Sequence, residues 1–120
     1  EIAQCLVGSE MCIRDRFKHF GYSNMHMGTV EGDFSIESFL DKLKNLHPAH
    51  VHLAPFMIVA GDHATNDMSG EDDDSWKSIL EKEGYSVKCT LKGLGEIQAV
   101  RDIFIRHTRA GLDRLSEIQA

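Results

Sequence analysis

Val51-His-Leu-Ala-Pro-Phe-Met-Ile-Val-Ala60 is a nearly unbroken apolar run bounded by Pro48 and Gly61. Ten residues are too few to cross a bilayer, which takes roughly 20. A short apolar run without polar alternation is what a strand needs when helices cover both faces of its sheet. The run is therefore expected to be the central strand of a parallel sheet. Upstream, Ser35 begins a helix to about Leu46, with Ile36, Phe39, Leu40 and Leu43 on one face, and Pro48 turns the chain. Asn24–Val30 reads as an earlier strand, and Phe17–Phe20 as the tail of a helix closed by Gly21.

Downstream, Gly61–Asp74 reads as a polar loop, and Trp76, Ile79 and Leu80 mark an amphipathic helix stopping at Gly84. A third strand is expected at Ser86–Leu91, then a Gly93-Leu-Gly95 turn. The last helix is expected over Ile97–Ile118, with Val100, Ile103, Phe104, Leu112 and Leu115 as its core face. The order β-α-β-α-β-α predicts an α/β fold, a parallel sheet with flanking helices. In such sheets ligands gather beyond the carboxyl ends of the strands, which directs attention to the loops after Val30, Ala60 and Leu91.

The 120 residues make one domain at most. With 13 basic against 19 acidic residues, the formal charge is −6, and no basic patch suits a nucleic-acid backbone. No apolar stretch is long enough for a membrane span and no signal segment is visible, so a cytoplasmic protein is expected. Cys5, Cys12 and Cys89 form no CxxC pair and no disulfide framework, which fits a reducing compartment.

Two of the three loops open with metal-capable groups: Glu31 after the first strand, and Asp62-His63 after the central one. A neutral imidazole with a carboxylate suits borderline divalent ions such as cobalt, nickel, zinc or ferrous iron better than magnesium. Spacing alone leaves a hydrogen-bonded structural histidine open as the alternative.

The segments G-T-V-E-G (Gly28–Gly32), P-F-M-I-V-A-G-D-H-A-T-N-D-M (Pro55–Met68), D-D-S-W-K (Asp73–Lys77) and G-L-G-E (Gly93–Glu96) are similar to the C-terminal domain of the anaerobic sirohydrochlorin cobalt chelatases, a class II tetrapyrrole chelatase family. The resemblance extends over most of the chain from Phe17 onward. It implies a lyase-type enzyme inserting Co²⁺, the substrate metal, into sirohydrochlorin for cobalamin biosynthesis, with no organic cofactor. It also implies His63 as the catalytic and metal-binding histidine and Glu31 as a metal-binding glutamate. Asn66, Asp67 and Met68 belong to the same motif and are expected to order the loop or line the substrate pocket. The roles implied for His63 need a neutral ring, so metal binding is expected to weaken in acid. Insertion of Fe²⁺ for sirohaem and non-catalytic tetrapyrrole or metal binding remain rival readings, and a homo-oligomer is left open.

The family's third metal residue, a histidine in a G-H-G-T-like turn, would lie upstream of Phe17. There, Val7–Asp15 can be back-translated as GTG GGC TCG GAG ATG TGT ATA AGA GAC, which resembles a sequencing-library adaptor. Residues 1–16 are accordingly expected to be adaptor-derived, and 17–120 to be a C-terminal chelatase domain lacking its first strand and most of its first helix. Ile97-Gln98 departs from the Asn-Pro expected after G-L-G-E. His50 and His52 share a strand face and form a weaker metal candidate. The acidic run Glu71–Asp74 is expected to cap the Trp76 helix and favour its start by charge.

Overall fold

The structure, a computed structural model, describes residues 12–30 and 34–118. Two compact units divide the chain, Glu1–His47 and Pro48–Ala120. In the first unit, residues 12–19 form helix α1. Its end is a Schellman closure: Tyr22 N–H donates to Phe17 O at 2.8 Å and Gly21 N–H to Lys18 O at 3.0 Å. Gly21 adopts φ +81°, a conformation that costs glycine nothing because it lacks a β-carbon. The helix therefore runs back through Cys12–Asp15, where the sequence shows no helical periodicity. Helix α2 spans Ile36–Leu46 and buries Ile36 and Leu43. It closes at His47, whose N–H donates to Leu43 O at 2.9 Å and whose left-handed φ of 44° turns the chain out of the helix, and Pro48 prevents continuation.

The strand expected at Asn24–Val30 is not formed. Residues 25–29 are irregular, tied by Thr29 N–H to Phe34 O at 3.0 Å. A strand exists only through its ladder, and the described residues of this unit hold no second strand to pair with it.

The second unit is a β-α-β element. Strand β1 (His50–Leu53) pairs in parallel with β2 (Ser86–Cys89), in the register His50↔Ser86 to Leu53↔Cys89. Helix α3 (Trp76–Lys82) makes the crossover and packs on β2, with Leu80 0 % exposed at the centre. A second Schellman closure ends α3: Tyr85 N–H to Leu80 O at 3.1 Å and Gly84 N–H to Glu81 O at 3.0 Å, with Gly84 at φ +92°. This is the α/β architecture expected, with a parallel sheet of two strands.

The apolar run does not continue as strand to Ala60. The ladder ends at Leu53, whose carbonyl takes Thr90 N–H at 2.9 Å. Pro55, which is buried, has no N–H to extend it. Residues 57–58 are held instead by a 3₁₀ turn at Leu94–Glu96: Leu94 N–H reaches Met57 O at 2.7 Å and Gly95 N–H reaches Ile58 O at 2.9 Å. Phe56, Ile58 and Val59 are exposed, so the run is not covered on both faces.

Helix α4 (Gln98–Ile118) buries no side chain. The core face expected on it is thus not a core face here: Ile103, Phe104, Leu112 and Leu115 are exposed and Val100 is half-buried. The apolar spacing sets the helix and its stripe, whereas burial needs a partner surface. Among the described residues no helix is long and apolar enough to cross a membrane.

Candidate metal and proton-transfer site

The loop expected at Gly61–Asp74 holds one π-helical turn, His63–Met68. π turns are rare, short, and frequent at functional positions. Ala64 and Met68 are both buried, and the turn lies against α3. Thr65 Oγ1 donates to Asp62 O at 3.1 Å, and Ser69 Oγ to Ala64 O at 2.9 Å. Gly70 N–H donates to Asn66 O at 2.9 Å to close the turn, and a β-carbon on Gly70 would collide with that same oxygen.

The outer face carries two parallel side-chain clasps. Asn66 Nδ2 donates to Asp62 Oδ1 at 2.7 Å, and His63 Nδ1 pairs with Asp67 Oδ2 at 2.5 Å. The histidine side chain is 63 % exposed and the aspartate 43 %. An ionised carboxylate only accepts, so Nδ1 carries the proton in this pair and the lone pair of a neutral ring is on Nε2. A lone pair on Nε2 can ligate a divalent ion or accept a proton.

Ser75 joins this turn to α3. Only 1 % exposed, its hydroxyl donates to Gly70 O at 2.7 Å and accepts Ser78 N–H at 3.1 Å, which makes Ser75 the N-cap. The acidic run therefore does not cap α3, because a serine adjoining the first turn reaches the N–H directly. Its members pair with lysines of the helix: Glu71 with Lys77 at 2.5 Å and Asp73 with Lys82 at 2.8 Å. The Lys82 hydrogen bond, reinforced by its charge, holds the Asp73 carboxyl below its ordinary pKa, and the bond to Glu71 raises that of Lys77.

Of the residues expected at the site, the π turn brings together His63, Asn66, Asp67 and Met68, with Met68 turned inward. Glu31 lies outside the described residues. Among the described residues no three His, Cys, Asp or Glu side chains cluster to hold a metal. His52 Nε2 is bonded to Thr90 Oγ1 at 2.7 Å. Asp67 is not expected from the sequence as the partner of His63, although the spacing His63-x-x-x-Asp67 on a helical turn is its signal.

A parallel β-α-β unit with a histidine–carboxylate turn in the segment following its first strand defines an α/β protein. A sequence profile of the family described as cobalt chelatase (CbiK) matches residues 6–113. The chain belongs to this family. The match begins at residue 6, inside residues 1–16, the stretch expected to be adaptor-derived. Over 91 residues the chain is 40 % identical to the sirohydrochlorin cobaltochelatase of Salmonella typhimurium, covering 76 % of this chain and 34 % of that protein. Over 94 residues it is 35 % identical to the sirohydrochlorin cobaltochelatase CbiKC of Nitratidesulfovibrio vulgaris, covering 78 % and 33 % respectively. The chain spans about a third of the length of these curated relatives.

Proposed function

We propose that residues 17–120 are the C-terminal metal-binding domain of a cytoplasmic sirohydrochlorin cobaltochelatase, which inserts Co²⁺ into sirohydrochlorin in the anaerobic route to cobalamin. The observation that carries this reading is His63 at the head of a π turn, exposed and with Nδ1 committed to Asp67. Family membership and the names of the relatives support it.

In this reaction a hydrated ion must shed waters, and the pyrrole N–H groups must lose protons, before four ring nitrogens can take the metal. His63 Nε2 replaces a water on the ion or receives a pyrrole proton, and Glu31 offsets the ion's charge and passes the proton on. Asn66 and Asp67 order the loop against the macrocycle, and Met68 supports it from beneath.

The test is multiple turnover of metal-free sirohydrochlorin with added Co²⁺, followed by the change in macrocycle absorption. Insertion by the chain, abolished in His63→Ala and strongly reduced in Glu31→Gln, is the expected result. Insertion unchanged by His63→Ala removes the site assignment. Faster insertion of Fe²⁺ than of Co²⁺ would move the reading to a ferrochelatase.

A further inference from the structure

We infer that Asp67 is a positioning residue for His63, holding the imidazole in one tautomer and one orientation so that Nε2 is the nitrogen offered to metal or proton; this rests on the reading of His63 given above. The two neutral tautomers of an imidazole differ little in energy, so the partner of one nitrogen decides which nitrogen keeps its lone pair. Here the partner is a carboxylate oxygen 2.5 Å from Nδ1, four residues further along the same π turn. Hydrogen bonds to ionised acceptors are the short, strong ones, and a carboxylate behind a metal-binding histidine both fixes the ring and increases its basicity.

The pair is built on a rigid base. Asp67 lies between Asn66, clasped to Asp62, and Met68, buried under the turn, so its backbone has little freedom. Gly70 closes the turn where no side chain fits, and buried Ser75 holds the Gly70 carbonyl from the start of α3. A surface pair of this kind adds little to stability even when both groups are charged, so the geometry is better suited to orienting the ring than to holding the fold.

The experiment uses the full chain with Asp67→Asn, Asp67→Ala and Asp67→Glu. Long-range ¹H–¹⁵N correlation on the metal-free protein reads the His63 tautomer, and calorimetric titration with Co²⁺ alone reads affinity. The wild type is expected to show Nδ1 protonated and Nε2 unprotonated. Asp67→Ala is expected to give a tautomer mixture and Co²⁺ binding weaker by about 10- to 100-fold, the usual effect of removing such a supporting carboxylate. Asp67→Asn is expected to shift the ring toward the Nε2-protonated form, and Asp67→Glu to restore part of the affinity. A merely structural Asp67 would lower thermal stability and leave the tautomer unmoved. An unchanged His63 tautomer together with Co²⁺ affinity within twofold in Asp67→Ala overturns the inference. An Asp67-dependent tautomer in a protein that does not insert cobalt upholds the positioning role and defeats the chelatase reading instead.

Discussion

Gly93 and Ile58 approach so closely that a β-carbon on Gly93 would stand 2.5 Å from the Ile58 carbonyl oxygen, with Ala60 N and Val59 Cα both at 2.9 Å. All three neighbours are backbone, which cannot swing aside as a long side chain can. The Gly93 N–H also donates to the Glu96 carboxylate at 2.9 Å, which fixes the turn that holds residues 57–58. Those residues lead directly into Gly61 and the π turn, so the glycine sets the path by which the chain reaches His63.

Gly93→Ala is therefore expected to destabilise the protein by about 1–3 kcal/mol, the range for forcing atoms into a filled space. Urea unfolding checks this, with Gly61→Ala as the control because nothing lies within 4 Å of its added β-carbon. Equal midpoints for the two variants would mean that the close approach has no energetic consequence.

Ser75 serves two elements at once, accepting Ser78 N–H and donating to Gly70 O from a position 1 % exposed. Ser75→Ala removes both bonds and leaves a donor and an acceptor short of partners away from water. A loss of about 1–2 kcal/mol in unfolding free energy is expected from the cap alone. Ser75→Asp is expected to recover part of it, because a carboxylate can still accept the Ser78 N–H but cannot donate to Gly70. Full recovery would place the whole effect in the cap and none in the tie to the π turn.

Local chemistry is legible in the sequence where a single residue decides it. Pro48 after α2 and Gly84 after α3 mark helix boundaries because a missing N–H and a left-handed closure depend on the residue itself, whereas Ser35 stands at the N-cap of α2 without its side chain making a capping bond. What depends on a distant partner is not legible in this way. The strand expected at Ser86–Leu91 forms over Ser86–Cys89, where β1 supplies its ladder. The apolar run after Leu53 leaves the ladder because Pro55 donates nothing and the Gly93–Gly95 turn captures its carbonyls. The stripe on α4 is apolar, as its spacing predicts, but it is not buried. At the site, His63 can be singled out from its place after the apolar run. The π turn cannot, since it is set by side-chain clasps and by a glycine at 70 with no room for a β-carbon.

His26 gives the first unit a dependence on pH. Its ring lies edge-on to Phe39 at 4.9 Å between centroids, and Lys42 Nζ is 5.6 Å from the Phe39 ring. Partial burial, then the charges of Lys42 and Lys18, lower the His26 pKa from its ordinary value. The folded chain thus binds this proton less readily than the unfolded one. Its contribution to stability is complete above the unfolded pKa of about 6.5 and diminishes as pH falls through that value toward the lower folded one. Thermal midpoints compared between neutral and mildly acid buffer are expected to fall further in the wild type than in His26→Gln. Parallel falls in the two proteins would assign the acid sensitivity to other groups.

His52 and His63 each commit a different ring nitrogen to a neighbouring side chain. His52 lies within β1, and its Nε2 is engaged with Thr90 Oγ1 at 2.7 Å, a residue immediately after β2. Binding a metal through that nitrogen would first break a cross-strand hydrogen bond. The bond from His63 to Asp67 uses Nδ1 instead and supports coordination through the other nitrogen. His52→Ala is expected to lower stability by about 0.5–1.5 kcal/mol, the net worth of an ordinary hydrogen bond, while Co²⁺ affinity measured by titration calorimetry stays within about twofold of wild type. His63→Ala is expected to do the reverse, leaving the unfolding midpoint nearly unchanged and weakening Co²⁺ binding by about tenfold or more. Loss of cobalt in His52→Ala with retention in His63→Ala would transfer the metal from the π turn to the strand.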